Sequence, residues 1–68
     1  MIVGTNLKRL RKQVRYSQQE MSEMLGIDRK TYGNWENGKT DVKTKYIVEL
    51  AKIFQIEINE LFKNNSES

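Results

Sequence analysis

A run of helix-start and helix-stop residues between Ser17 and Gly38 constrains this chain more than any other feature. Ser17 followed by Glu20 is an S-x-x-E capping box, which starts a helix. Gly26 stops it, since glycine readily takes the left-handed conformation of a C-terminal turn. Asp28 can cap a second helix, and Asn37-Gly38 can end it. The spacing predicts two helices of about eight residues joined by a three- to four-residue turn. Two short helices cross closely only where the contact residue is small, and Ser22 stands at that position.

Periodicity predicts helices on both sides of this pair. Leu7, Leu10 and Val14 recur at helical spacing and place helix 1 at about residues 5–14. Helix 2 spans about 18–25, with Met21, Met24 and Leu25 on its apolar side. Helix 4 is expected over about 42–54 with Asp41 as its cap, carrying Tyr46, Ile47, Leu50, Ala51 and Phe54 as a wide apolar stripe. A short helix 5 follows at about 58–62 with Ile58, Leu61 and Phe62. Ile27 and Ile56 are placed to staple onto Tyr32 and Leu61. The fold expected is an all-α, compact five-helix bundle over residues 1–63, with a polar tail, 64–68, that frays.

Composition excludes several classes of function. The 68 residues contain no cysteine, no histidine and no proline. Disulfides, thiolate metal sites and the usual general base are therefore missing. Glu20 and Glu23 lack the partners of a catalytic pair, so neither an enzyme nor a cofactor or metal site is expected. The absence of cysteine fits a reducing cytosol, and no apolar run approaches the roughly 18 residues of a membrane span. Residues 1–45 hold ten basic and five acidic side chains, and residues 46–68 hold two and four. A front half of net +5 and a back half of −2 suggest a surface facing a polyanion.

The central pair has the layout of a helix-turn-helix. Projected at about 100° per residue, helix 3 turns Thr31, Tyr32, Trp35 and Glu36 to one side and Arg29, Lys30, Gly33, Asn34 and Asn37 to the other. The second face carries two cations and two amides. Arginine and lysine reach guanine O6 and N7, and asparagine pairs with adenine, so this chemistry suits a major groove.

Six segments carry a family resemblance: Leu10-Arg11-Lys12, Ser17-Gln18-Gln19-Glu20-Met21-Ser22, Leu25-Gly26-Ile27, Trp35-Glu36-Asn37-Gly38, Leu50-Ala51-Lys52 and Asn59-Glu60-Leu61-Phe62. With these the chain resembles the Cro and phage-repressor type helix-turn-helix proteins, the xenobiotic-response-element family, without gaps from about Leu7 to Phe62. The resemblance implies a DNA-binding domain with helix 3 in the major groove. It places base-reading positions at Arg29, Lys30, Gly33 and Asn34. Phosphate-contacting positions fall on Gln18, Asn37, Lys39 and Lys43. It also implies an ion pair between Arg11 and Glu36. That pair has a separate physical motive, since each charge stands on a side of its helix that faces the core. The sequence departs from the family's pattern at Ser22, Tyr32, Gly33, Val42 and Glu57.

The function expected is therefore sequence-specific binding of double-stranded DNA by a small cytoplasmic regulator, most simply a repressor occupying its operator. The alternative is a protein-interaction module that holds a partner and touches DNA weakly. One domain reads only a few base pairs, so a homodimer on an inverted repeat is expected. Its surface would lie around helix 5, with Val48 and Ile53 as candidates. Trp35, Tyr16, Met21 and Met24 are expected to pack in the core.

Overall fold

Val3, Leu7 and Leu10 share one helical face, and all three are buried. In the computed structural model, which describes residues 2–63, they lie on α1, Ile2–Val14. This helix begins before the expected residue 5, because Val3 extends the Leu7–Leu10 stripe by a turn. Then come α2, Gln18–Leu25, and α3, Arg29–Glu36. A connection without regular structure leads to α4, Thr44–Phe54. The last element is a 3-10 helix, Ile58–Phe62.

The described residues thus form four α-helices and one 3-10 helix, with no strand, which corrects the expected five-helix count. Five residues are too few to propagate an α-helix, and a 3-10 turn suffices to bury Leu61 alone from this segment. Helix α4 also starts later than expected. Lys43, not Asp41, occupies the capping position, because half-buried Val42 draws the preceding chain over the core in an extended path. The tail expected at 64–68 lies outside the described residues.

Both turns of the central pair close as their residues dictate. Ser17 Oγ accepts from the Glu20 N–H at 3.0 Å, and Glu20 Oε1 accepts from the Ser17 N–H at 2.8 Å. Gly26 is left-handed, with φ of 71°, and the Ile27 N–H reaches back to the Ser22 carbonyl at 3.0 Å. At the end of α3 it is Gly38, with φ of 76°, that turns left-handed, while Asn37 stays right-handed. Asp28 stands at the capping position of α3, but its carboxylate makes no bond to the helix.

The core gathers around Tyr32 and Trp35. Their rings meet edge-on with centroids 5.9 Å apart, and Tyr46 lies 5.2 Å from Trp35 on the other side. Leu7, Met21, Leu50 and Leu61 fill the space between the elements. Four expected core or anchoring residues are exposed instead. Met24 sits at the edge of the narrow stripe that α2 buries, at 47% exposure. Val14 and Tyr16 flank Arg15, whose positive φ turns the chain outward. Thr31 also faces solvent.

Two contacts fix α1. A side chain at Gly4 would run into the Trp35 carbonyl oxygen, so glycine lets α1 lie directly against the end of α3. Buried Asn6 donates from Nδ2 to the carbonyls of Leu61 at 2.7 Å and Lys63 at 2.8 Å. It thereby ties the first helix to the last element.

Candidate nucleic-acid interface

Helix α3 is buried along Tyr32, Trp35 and Glu36 and open along the opposite side. On that open side one concave surface collects Arg29, Lys30, Gly33 and Asn34 with Gln18 of α2 and Asn37 and Lys39 of the following turn. Seven of the eight residues singled out for DNA contact therefore share a face. Lys43 does not join them, since it stands at the capping position of α4. The lining holds three cations and no carboxylate.

The start of α2 faces the same concavity through Gln18. Its capping box already satisfies the N–H groups of Ser17 and Glu20. The N–H groups of Gln18 and Gln19 have no partner within the helix and remain donors for an anion. In the turn after α3, the Lys39 N–H is held by the Asn34 carbonyl at 2.9 Å, which fixes where the lysine side chain departs.

Behind this face lies a buried charge cluster. Arg11 Nε and Nη2 donate to the two Glu36 carboxylate oxygens at 2.7 and 3.2 Å, a bidentate pair. Arg11 Nη1 also donates to the Tyr16 carbonyl at 3.0 Å, so one guanidinium joins α1, the α1–α2 turn and α3. Glu36 accepts a further bond from Gln18 Nε2 at 3.0 Å. The Glu36 side chain is 1% exposed and that of Arg11 13%. Burial would raise the Glu36 carboxyl, but Arg11, the nearby Tyr32 hydroxyl and Gln18 together hold it below the usual carboxylate range. The bond to Glu36 raises the Arg11 guanidinium in turn. Burial and the negative carboxylate push the Tyr32 phenol well above its ordinary range, and its hydroxyl has no partner in hydrogen-bond geometry.

Sequence reasoning missed two parts of this arrangement. Gly4 and Asn6 position α1, and with it Arg11, yet they touch nothing in the concavity. The glycine within the first helical turn was the available signal for the first. The Gln18–Glu36 bond was also missed, and no local pattern marks it. Among the described residues no cluster of three or more metal-ligating side chains occurs, and no helix is long and apolar enough to cross a membrane.

Comparison with known proteins finds relatives of this sequence. The chain is 38% identical over 60 residues to an SPbeta prophage-derived uncharacterized HTH-type transcriptional regulator of Bacillus subtilis (strain 168), covering 88% of this chain and 56% of that protein. A second uncharacterized HTH-type transcriptional regulator of the same organism is 34% identical over 61 residues, 90% of this chain and 53% of that one. A putative HTH-type transcriptional regulatory protein of Pyrococcus furiosus is 38% identical over 53 residues, 78% of this chain and 17% of its own. The chain thus spans about half the length of the two Bacillus relatives. No solved structure gives a significant match. A helix-turn-helix family model matches residues 7–61, which takes in all four α-helices apart from the first five residues of α1. The chain belongs to the helix-turn-helix family, of the Cro and phage-repressor type.

Proposed function

We propose that this chain binds double-stranded DNA as the reading domain of a transcriptional regulator, with α3 in the major groove. The observation that carries the proposal is the concave face itself. Three cations and three carboxamides from two helices and a turn converge on it without an opposing carboxylate. Arg29, Lys30 and Asn34 read base edges. Gly33 adds no side chain and leaves room for close approach. The N–H groups of Gln18 and Gln19, with Asn37, Lys39 and Lys43, meet phosphates on either side. Repression by occupying an operator is the simplest action for such a unit, which needs no cofactor and performs no chemistry.

The same reading makes the protein a cytoplasmic homodimer on an inverted repeat with half-sites about 34–36 Å apart. An apolar groove between α4 and the 3-10 helix supports this. Val48 and Ile58 are exposed there, beside Lys52, Glu57 and Glu60, whose opposite charges can pair across a two-fold axis. Exposed Phe62 stands on the same 3-10 helix, whereas Ile53 is half-buried against the core.

Selection from a random DNA pool tests the proposal, followed by gel shifts on the recovered sites at low and high salt. Recovery of an inverted-repeat consensus bound far more tightly than random duplex supports it. Binding of all sequences alike, or none, would favour a protein-interaction module instead.

A further inference from the structure

The concave face is rich in donors. Arg29, Lys30 and Lys39 only donate, and Asn34 and Asn37 can present either end of their amides. Gln18 is different, because its orientation is imposed from behind. Its Nε2 lies 3.0 Å from Glu36 Oε1, a carboxylate oxygen with only lone pairs to offer. Turned round, the amide would set oxygen against oxygen beside a buried negative charge. The NH2 group must therefore face Glu36. The amide oxygen then lies over α3, 3.5 Å from where a Cβ on Gly33 would stand, an ordinary van der Waals distance. The bare glycine adds no side chain over this oxygen.

We propose that Gln18 is a base-reading residue, whose amide oxygen, oriented by Glu36, accepts a hydrogen bond from the exocyclic amine of adenine or cytosine. This rests on the DNA-binding reading above and adds to it. The phosphate contact at the start of α2 comes from backbone N–H groups, while the side chain of the same residue reads a base. In the major groove, adenine N6 and cytosine N4 donate, whereas guanine O6 and thymine O4 accept. An obligate acceptor thus selects one pair of bases over the other. Glu36 acts as a positioning residue, which converts an ambivalent amide into a one-way group.

The experiment is selection from a random DNA pool with the full chain and with Gln18→Ala, then titration on the best site and on random duplex. The wild type is expected to require adenine or cytosine at one position of each half-site, and the selected base distinguishes the two amines. Gln18→Ala should become indifferent at that position and lose roughly 5- to 100-fold on the best site. Its affinity for random duplex should fall much less than its affinity for the best site, so that the ratio between the two shrinks. Glu36→Gln provides a second readout wherever circular dichroism shows it folded. With the carboxylate gone, preference should broaden at that same position and not at its neighbours, which simple destabilisation would not do. A Gln18→Ala protein that keeps full base preference, or weakens on all sequences equally, would overturn the inference and leave DNA binding intact. A wild type that selects no sequence would instead remove the reading on which it rests.

Discussion

The buried pair between Arg11 and Glu36 offers the sharpest test of how the interface is held. The perturbation is to remove one partner at a time. Arg11→Met leaves a carboxylate whose side chain is 1% exposed, with Gln18 as its remaining hydrogen-bond donor. An orphaned buried charge costs about 3–5 kcal/mol. Glu36→Gln leaves a guanidinium that is 13% exposed and still bonded to the Tyr16 carbonyl, so its cost should fall at or below the lower end of that range. A chain of 68 residues has about 3–10 kcal/mol of stability in total. Either change should therefore lower the melting temperature by more than about 10 °C, with Arg11→Met the worse. Replacing both by apolar residues, as Arg11→Met with Glu36→Leu, removes the orphan and should recover much of the loss. Urea unfolding followed by circular dichroism and by fluorescence of Trp35, the single tryptophan, measures these proteins together with Glu36→Leu, the single change that closes the cycle. Additive costs, with no coupling in the double-mutant cycle, would refute the argument.

Two glycines within helices should respond in opposite senses. Gly4→Ala should destabilise despite alanine's better helix propensity, because its Cβ meets the Trp35 carbonyl oxygen, whereas Gly33→Ala has room beside Gln18 and should stabilise by about 0.5–1 kcal/mol. Thermal melts decide both, and equal signs would contradict the packing described. Arg15 and Gln55 hold positive φ without being glycine, so Arg15→Gly or Gln55→Gly should raise stability by up to about 1 kcal/mol in the same melts. The depressed Glu36 carboxyl adds stability that is fully present above the ordinary carboxylate range and is lost as pH falls through the lower folded value. Unfolding free energies of wild type and Glu36→Gln should therefore converge at acidic pH, and a constant gap down to pH 2 would argue against that linkage.

The helix pair was legible because its signals are local. A capping box at Ser17 and Glu20 and glycines at 26 and 38 act through their own backbone neighbours. The open face of α3 followed from helical projection once its ends were known, except that Thr31 joins the solvent side. What escaped depends on distant partners. Asn6 finds its carbonyls 55 and 57 residues away, and nothing around it marks that use. Gln18 takes its orientation from a carboxylate on another helix. Tyr16 and Met24 looked like core because they are large and apolar. A domain this small has little interior, and side chains near helix ends are left at its rim.

The central claim is that α3 reads bases while the turn after it grips the backbone. It is tested most directly by measuring affinity for the selected site and for random duplex over a range of salt, for the wild type, Arg29→Ala, Lys30→Ala, Asn34→Ala and Lys39→Ala. Each of the three α3 changes should cost about 1–3 kcal/mol on the selected site and relax preference at one base pair, leaving random duplex binding much less affected. Lys39→Ala should weaken both DNAs alike and reduce the salt slope by about one unit. If the α3 substitutions left base preference intact while lowering all affinities together, the concave face would be a phosphate-binding surface and the claim would be wrong.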